Sequence, residues 1–493
     1  MKISSARSDV LVGFLAAVLL ILGNSPFFIP TLPFLALALY VWAVKRSKHP
    51  FTAAFLIAAP YWTYHSLWIT NLSVPPPIKY LLILGVVAMT VVLSALNGLW
   101  GWAISRARDG WETWMLAPSL WVALEYFRGR LLMDLAYPWA PLGESALRSP
   151  FKDMAAIGGI YLVSFFIVLV GALLYLRRWL WAALVLGAGL LWGILYSPPP
   201  PYGHLKVAVL QPNVLPRFSY DPKEWQEVER AYDSLLMALK GRRVDLVVAS
   251  ESAFPGVYRF SERSQKLVMR IVKTLKAPLL FGTAGIERSD AGLRFYNRVL
   301  LVDTAGRVVG KYDKVQLVPF GENLPFYEYL PAFLRSINLG QGNYRRGVGY
   351  HPIEWDGVKI GVMICYESIF PHIARALAER GANLLVVATS DGWFGNSIGP
   401  LEHYHLGIFR SIETGRAMVR AAKTGISAVI DAEGRPLKEL GLYRRGVIVA
   451  EVPLYSHRTP FVAFGHAIVP LLSLIGALLL GYVLLRRPNR MSD

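Results

Sequence analysis

The chain has 493 residues, of which 54% are hydrophobic, and its formal net charge is +18 at pH 7. Its mean hydropathy of +0.40 excludes an ordinary soluble protein. The positive charge does not indicate nucleic-acid binding, because much of the Lys and Arg stands at the ends of apolar segments, where it sets membrane topology and contacts anionic lipids. Cys365 is the only cysteine, so we expect neither an internal disulfide nor a zinc site built on paired cysteines.

Apolar segments of transmembrane length fill the first 196 residues and recur once near the C-terminus. The first one follows Lys2 and Arg7 and looks like a signal peptide, but no small-residue cleavage site is evident, so we predict a retained helix. Glu112 and Glu125 make the fifth segment the least regular. The eight predicted spans are 11–22, 27–44, 51–70, 80–104, 111–127, 155–176, 178–196 and 467–485.

Basic residues follow every second predicted span. They are Lys45, Arg46, Lys48, Arg106, Arg108, Arg177, Arg178, Arg486, Arg487 and Arg490. The positive-inside rule then predicts that both termini are cytoplasmic and that residues 197–466 lie outside the cytoplasm. Arg128 and Arg130 depart from this pattern, because they fall on the outer side.

The loop that carries these two arginines, 128–145, is long and mixes aromatic with charged residues, including Asp134, Trp139 and Glu144. One interpretation is an interfacial aromatic anchor. The other is an arm that reaches the outer domain or contacts a lipid substrate.

A stiff proline-rich spacer at 197–203 marks a domain boundary. Beyond it, short runs of Val, Ile and Leu alternate with helical stretches, which predicts an α/β layered domain. The predicted strands are 207–210, 244–249, 279–282, 298–302, 308–312, 358–364 and 384–388, and the predicted helices are 225–239, 261–275 and 371–380. We divide the chain into a membrane domain of seven helices (1–196), a linker (197–204), an extracytoplasmic domain (205–456), and a last helix with a basic cytoplasmic tail (457–493).

Three ionisable or nucleophilic side chains stand where predicted strands end. Glu251 follows a hydrophobic strand, Lys314 leads into an apolar segment, and Cys365 lies at a strand-to-helix corner. Taken singly, each also fits a plain structural role: a solvated loop carboxylate, a surface lysine with a buried stem, and an inert buried thiol.

Taken together, the three side chains make chemical sense. A thiol needs a general base at neutral pH, and Glu251 can supply one if burial raises its pKa. Attack on an acyl carbonyl creates an oxyanion, which Lys314 and the backbone N–H after Cys365 would stabilise. We expect Glu322 and Glu367 to hold the lysine charged and in place.

These residues carry a family resemblance. Glu251 in Glu-Ser-Ala-Phe-Pro, Lys314 before Leu-Val-Pro-Phe-Gly-Glu, and Cys365 in Cys-Tyr-Glu resemble the Glu-Lys-Cys triad of the nitrilase (carbon–nitrogen hydrolase) superfamily. That resemblance implies an α-β-β-α sandwich and selects Lys314 over its rival Lys311. With membrane helices on both sides, the whole chain resembles the apolipoprotein N-acyltransferases, which the segments Trp393-Phe394-Gly395 and Glu413 with Gly415-Arg416 also fit.

The resemblance implies transfer of an acyl chain from a phospholipid, typically phosphatidylethanolamine, through a cysteine thioester to the α-amino group of diacylglyceryl-cysteine in an apolipoprotein. It implies a monomer in the bacterial cytoplasmic membrane, with the catalytic domain outside and no cofactor. Tyr366 is expected to support the triad. The residues expected to contact substrate are Trp393, Phe394, Trp139 and Tyr220, the last standing where the family can carry Trp.

Two apolar stretches, 324–330 and Trp393-Phe394, are expected to form a lipid entrance and lid, with ordinary core packing as the alternative. His403 and His405 invite a metal site, because alternate residues of an extended segment share one side. We do not predict a metal, because no third ligand is evident and the thiol mechanism needs none.

Two other functions stay open from the residues alone. A membrane-tethered amidase or nitrilase would use the same triad with water as acceptor, although a soluble amide needs one anchor rather than about eight spans. A transporter with an outer binding module is disfavoured, because few ionisable residues lie inside the predicted spans.

Overall fold

A computed structural model describes residues 2–74, 76–215, 222–289, 292–326, 329, 331 and 343–486. In chain order the helices of this part are α1 Lys2–Gly23, α2 Leu32–Arg46, α3 Pro50–Ser66, α4 Pro76–Arg106, α5 Trp111–Tyr126, α6 Ala155–Gly158, α7 Ile160–Tyr175, α8 Trp179–Leu195, α9 Pro222–Ala238, α10 Glu262–Leu275, α11 Pro371–Glu379, α12 Gly399–Thr414 and α13 Pro460–Leu485. Each of the eight predicted spans therefore overlaps helical structure, with the sixth divided between α6 and α7.

Length and apolar composition are sufficient for membrane crossing in two helices of the described chain, Ile78–Arg106 and Pro460–Leu485. The helices Leu11–Gly23, Ile160–Tyr175 and Trp179–Leu195 are apolar but shorter. The helical character of the N-terminal part is thus confirmed, whereas the number of helices that cross a membrane stays a prediction.

The sixth predicted span is interrupted between α6 and α7. Gly159 adopts a φ of 78°, and a Cβ at this position would lie 2.7 Å from the ring of Phe461. The Glu413 carboxylate then accepts the N–H of Ile160 at 2.9 Å, which satisfies a free donor at the start of α7. A contact with the C-terminal domain therefore sets where this helix begins.

The basic loops meet at one end of the helical bundle. The Lys45 ammonium at the end of α2 lies 3.0 Å from the Asp109 carboxylate, which also accepts the hydroxyl of Tyr175 at 2.9 Å. Arg486, after α13, forms an ion pair with Glu112 at the start of α5. The helix ends that carry the predicted cytoplasmic charges are therefore neighbours in space.

The C-terminal domain contains two six-stranded sheets. Their strands are β1 Gly203–Gln211, β2 Leu246–Ala249, β3 Leu279–Ser289, β4 Gly292–Val302, β5 Val308–Asp313, β6 Ile353–Trp355, β7 Val358–Ile364, β8 Leu384–Thr389, β9 Met418–Ala422, β10 Ser427–Ile430, β11 Pro436–Leu440 and β12 Gly446–Leu454. The sheet orders are β12-β1-β2-β3-β4-β5 and β11-β10-β9-β8-β7-β6. Strands β1, β2 and β3 are parallel, as are β7, β8 and β9.

The two sheets pack face to face, with helices on both outer sides. Alternate residues such as Val207 of β1 and Val362 of β7 form one core between the sheets. Helices α9 and α10 cover the first sheet through residues such as Tyr232 and Ile271. Helices α11 and α12 cover the second sheet and share a hydrophobic core with the N-terminal helices. The expected α-β-β-α sandwich is confirmed, and one of its helical layers rests directly on the helical bundle.

Candidate active site

The ends of β2, β5 and β7 supply the three predicted catalytic side chains. Glu251 lies two residues beyond β2, whereas Lys314 and Cys365 directly follow β5 and β7. Cys365 has a φ of 50°, and Ser252, next to Glu251, has a φ of 45°. Left-handed backbone is costly for such residues and clusters at functional sites, because it aims side chains in directions that a regular strand does not allow.

Glu251 is a buried carboxylate held by an amide. Its Oε1 atom accepts the side-chain N–H of Asn297 at 2.7 Å and lies 3.8 Å from the Lys314 ammonium. The loop passes so close to β3 that a Cβ on Gly282 would lie 2.6 Å from the Glu251 Cα. Burial raises the pKa of Glu251, which the Lys314 charge opposes and the Glu322 charge reinforces.

Lys314 is 1% exposed and has Glu322 as its nearest charged partner. Its ammonium donates to Glu322 Oε1 at 2.9 Å, and the same oxygen accepts the Asn297 side chain at 2.8 Å. Burial alone would lower the pKa of Lys314, but the carboxylates of Glu322 and Glu251 raise it well above its usual value. The lysine is therefore charged at neutral pH although it is buried.

The Cys365 thiol is partly accessible, yet its pKa is raised, first by the burial of its surroundings and then by the charge of Glu251, with Lys314 opposing. The thiol is therefore protonated at neutral pH and needs a base before it can attack a carbonyl. The Glu251 carboxylate, whose charge acts on this thiol, is suited to that role, because a general base works best when its pKa is raised towards the operating pH.

The predicted role of Glu367 is wrong in one respect. Among the described residues its carboxylate has no hydrogen bond to the lysine ammonium. Oε1 accepts the N–H groups of Val315 at 2.8 Å and Gln316 at 3.0 Å and the hydroxyl of Tyr312 at 3.0 Å, and Oε2 accepts the N–H of Ile364 at 2.8 Å. Burial raises the pKa of Glu367 to about 7, although these N–H groups lower it. Glu367 thus joins the segment after Lys314 to the strand that ends at Cys365.

Residues 128–145 form an arm that reaches the outer domain, as one of the two interpretations predicts. The Tyr366 hydroxyl donates to the Ala136 carbonyl of this arm at 2.7 Å. The Asp134 carboxylate accepts the backbone N–H of Phe326 at 2.9 Å and forms an ion pair with Arg346. The arm therefore contacts the residue that follows Cys365 and two loops of the sandwich.

Of the predicted substrate contacts, Trp139 and Phe394 lie inside a buried aromatic cluster. Trp68 of the helical domain lies 4.8 Å from the ring centroid of Trp139 and 4.9 Å from that of Phe394. Trp393 is half-buried, and its carbonyl accepts the N–H of Ser73 at 3.1 Å. Core packing thus accounts for Trp139 and Phe394 in this structure, and their contact with lipid stays a prediction.

Two other predictions fall partly or wholly on segments that the structure does not describe. Tyr220 lies outside the described residues, as does most of the second half of the 324–330 stretch. Phe326 and Tyr329 of that stretch are 38% and 85% exposed, so both present aromatic surface near the arm.

The expectation that His403 and His405 share one side of an extended segment is wrong, because both lie on helix α12. Residues two apart on a helix point in different directions. His405 Nδ1 lies 3.0 Å from the Ser25 hydroxyl, whereas His403 Nδ1 lies 2.9 Å from Asp391 Oδ1. A paired-histidine metal site is therefore contradicted by the geometry.

Donor atoms of His403, Asp391 and Cys365 do lie within 4.8 Å of one another. However, Asp391 Oδ2 accepts the buried guanidinium of Arg420 at 2.8 Å, and its Oδ1 accepts the Thr389 hydroxyl at 2.7 Å. A cation placed there would face that guanidinium and compete for an occupied carboxylate. The donor set fits a hydrogen-bond network better than a metal site.

The sequence patterns missed Asn297, His403 as a site residue, Asp391 and Arg420. Asn297 and Arg420 are polar residues within buried strands, at 7% and 0% exposure. Polar side chains are rare in buried strands unless they have hydrogen-bond partners, so the polarity of Asn297 and Arg420 was the sequence signal for a functional or structural role.

Comparison with known proteins agrees with this architecture. Residues 206–459 match the Carbon-nitrogen hydrolase family, and residues 16–173 match the Apolipoprotein N-acyltransferase N-terminal domain. A solved carbon-nitrogen hydrolase from Helicobacter pylori is 17% identical and aligns with 58% of this chain and 97% of its own, at a TM-score of 0.39, which is too low to carry weight.

Two relatives named Apolipoprotein N-acyltransferase match most of the chain. The one from Azotobacter vinelandii is 35% identical over 428 residues, which cover 83% of this chain and 81% of that protein. The one from Geobacter metallireducens is 29% identical over 482 residues, which cover 93% of this chain and 92% of that protein. With a helical domain and a carbon–nitrogen hydrolase domain both matched, this chain belongs to the apolipoprotein N-acyltransferase family.

Proposed function

We propose that this protein transfers an acyl chain from a membrane phospholipid, through a thioester on Cys365, to the α-amino group of the diacylglyceryl-cysteine at the N-terminus of an apolipoprotein. The observation that carries the proposal is that, in a member of this family, Lys314 lies 3.8 Å from Glu251 and the charges of both act on the Cys365 thiol. Phosphatidylethanolamine is the proposed donor, and the proposed chemistry uses no cofactor or metal.

In the first half-reaction, Glu251 takes the proton from the Cys365 thiol, and the thiolate attacks the ester carbonyl of the phospholipid. The oxyanion is stabilised by the Lys314 ammonium and the backbone N–H of Tyr366. When the intermediate collapses, the C–O ester bond breaks, Glu251 returns the proton to the leaving alkoxide, and a lysophospholipid departs from the thioester.

In the second half-reaction, Glu251 takes a proton from the α-amino group of the acceptor as that nitrogen attacks the thioester carbonyl. The same two donors hold the second oxyanion. The C–S bond then breaks, the amide is formed, and the thiolate leaves as Cys365, which regains the proton from Glu251. No external oxidant, reductant or nucleotide enters this sequence.

The membrane arrangement is also a proposal: eight spanning helices, both termini cytoplasmic, the domain boundaries given above, and the sandwich on the outer side of the bacterial cytoplasmic membrane. Exposed apolar side chains such as Leu84, Leu180 and Leu478, each at least 65% exposed, support lipid contact of α4, α8 and α13. The meeting of the basic loops at one end of the bundle supports the orientation.

The opposite end of the bundle holds the sandwich. Ser25 contacts His405, and His65 of α3 lies 2.5 Å from the Glu402 carboxylate, both partners lying on α12. A catalytic domain fixed at the membrane surface can reach the ester bonds of a bilayer phospholipid, which fits two membrane-anchored substrates. We propose that the enzyme acts as a monomer.

Hydrolysis of an amide with water as acceptor is the alternative that shares the same site. The distinguishing experiment incubates the purified, detergent-solubilised protein with phosphatidylethanolamine, and then adds a diacylated lipopeptide with a free α-amino group. We expect lysophospholipid and N-acylated peptide in equal amounts. Release of free fatty acid without N-acylated peptide would favour hydrolysis and contradict the proposal.

A further inference from the structure

The peptide bond between Cys365 and Tyr366 is held by two hydrogen bonds to its carbonyl oxygen. The Ser368 hydroxyl donates to the Cys365 carbonyl at 2.8 Å, and His403 Nε2 lies 2.9 Å from the same oxygen. A carbonyl oxygen only accepts, so in this arrangement the His403 proton is on Nε2 and is donated to the Cys365 carbonyl, with the Ser368 Oγ atom 3.0 Å from the same nitrogen. Two donors on one carbonyl fix the orientation of this peptide plane.

Fixing that carbonyl also fixes the N–H of Tyr366. The two groups belong to one planar trans peptide and point in opposite directions, so neither rotates without the other. The φ of 50° at Cys365 is costly for a residue other than glycine, and this backbone would relax if the bonds that hold it were removed. In the proposed mechanism this N–H faces the oxyanion.

The imidazole of His403 is itself held on its other side. With the proton on Nε2, the Nδ1 atom accepts from the Arg420 guanidinium at 3.1 Å, and Arg420 also donates to Asp391, whose Oδ1 lies 2.9 Å from Nδ1. All three side chains are at most 1% exposed. The His403 ring also packs against Phe394 and Trp139, with centroids 5.6 and 5.8 Å away. These contacts hold the imidazole ring in place, and one of them, with Trp139, comes from the arm of the N-terminal domain.

We propose that His403 is a positioning residue that holds the Cys365–Tyr366 peptide so that its N–H faces the oxyanion. This inference rests on the proposed function and adds to it a residue outside the Glu251, Lys314 and Cys365 triad. His403 does not act as the base, because its Nε2 proton is donated to a carbonyl and its Nδ1 faces Asp391 and Arg420. His403 therefore affects the rate by orienting the Cys365–Tyr366 peptide and does not transfer a proton in the reaction.

Two amide substitutions at His403 test whether a donor must reach the Cys365 carbonyl or whether any polar side chain at this position is sufficient. The amide nitrogen of His403→Gln stands near the position of Nε2 and reaches the Cys365 carbonyl, whereas the shorter amide of His403→Asn reaches only the Asp391 side. We expect single-turnover acylation by phosphatidylethanolamine to fall less than tenfold in His403→Gln and about 100-fold in His403→Asn, the scale for one misplaced oxyanion donor. The KM for phospholipid and the midpoint of the pH profile should stay unchanged in both.

His405→Asn is the matched control, because it removes a neighbouring buried imidazole of α12 that contacts Ser25 instead of the Cys365 carbonyl. We expect acylation within threefold of wild type. Equal rates for the Gln and Asn variants of His403, or an equal loss in His405→Asn, would overturn the proposal, as would a shifted pH midpoint in His403→Gln.

Ser368→Ala provides a second test that leaves the imidazole intact, should His403→Asn fail to insert into membranes. It removes the other donor to the same carbonyl, so the acylation rate should fall while lipid KM stays constant; a wild-type rate would overturn the proposal. Loss of acylation in Cys365→Ala tests the thioester separately. If that variant still transfers acyl chains, the proposed function fails, whatever the His403 variants do.

Discussion

The ammonium nitrogen of Lys314 lies 3.8 Å from the Oε1 atom of Glu251, beyond a direct hydrogen bond, although both side chains are buried. Glu322, at 2.9 Å, is the closer partner of the lysine. The site thus holds two carboxylates and one ammonium. Burial raises the pKa of Glu251, the Lys314 charge opposes this rise, and the Glu322 charge adds to it. Glu251 stays available as a base because Lys314 is occupied by Glu322.

Lys314 is predicted to act mainly on the charge of the tetrahedral intermediate. Lys314→Ala should therefore slow single-turnover acylation by about 10²–10³-fold. Lys314→Arg should fail almost as badly, because a planar guanidinium does not fit the space of a compact ammonium. The measurement is the rate of thioester formation by each purified variant with excess phospholipid.

Lys311→Ala is the control for this prediction. Its ammonium lies 3.0 Å from Glu287 on the surface, with a side chain that is 56% exposed. We expect acylation close to wild type. An inactive Lys311→Ala together with normal acylation by Lys314→Ala would show that the family spacing selects the wrong lysine.

The pH dependence of acylation reports on Glu251. Only the deprotonated carboxylate acts as a base, so the rate should rise with pH through a midpoint above 4.5, the value of an ordinary glutamate. Glu322→Gln removes a negative charge that raises the pKa of Glu251, so the midpoint should move to lower pH. Glu287→Gln, a change of the same kind on the surface, should leave it in place. A midpoint that moves upward in Glu322→Gln would contradict this assignment.

The hydroxyl of Tyr366 is predicted to stabilise the arm. Tyr366→Phe keeps the ring but leaves the Ala136 carbonyl without this donor, and we expect a loss of about 1–2 kcal/mol in the free energy of unfolding. Tyr232→Phe is the control, because the buried Tyr232 hydroxyl has no hydrogen-bond partner within the described part of the chain. Thermal unfolding of both variants in detergent decides the matter, and equal stability of the two would contradict a role for the arm contact.

The topology is testable with a reporter at the exposed β4–β5 turn, where Gly306 has a φ of 84°. Alkaline phosphatase, which is active only outside the cytoplasm, should be active when inserted near Gly306. A reporter that is active there only in the cytoplasm would overturn the orientation and the substrate assignment together.

Much of this site could be predicted from the sequence, because strand ends are local signals. A run such as Val358–Ile364 predicts a buried strand, and a nucleophile or acid directly after such a run stands out. Asn297 gave only its polarity as a signal, since its role depends on side-chain contacts with Glu251 and Glu322, which lie 46 and 25 positions away in the chain. The spacing of His403 and His405 misled because period-two alternation was assumed where a helix forms.

The roles of Glu367 and the arm could not be derived from the sequence either. The sequence predicts that Glu367 holds Lys314, but the fold brings the backbone of Val315 and Gln316 to its carboxylate. The Asp134 contact with the sandwich joins residues almost two hundred positions apart. The Asp134 contact is set by the docking of the two domains, and the Glu367 contacts by the folding of the sandwich.

The central claim is that Cys365 carries the acyl chain as a thioester. The most direct measurement is intact-protein and peptide mass spectrometry after incubation with phosphatidylethanolamine and no acceptor. We predict a mass gain of one acyl group on the peptide that contains Cys365, its loss on adding a diacylated lipopeptide, and no gain in Cys365→Ala, which should remain folded and membrane-inserted. Acyl transfer by Cys365→Ala within tenfold of wild type, or an acyl group trapped at another residue, would contradict the account.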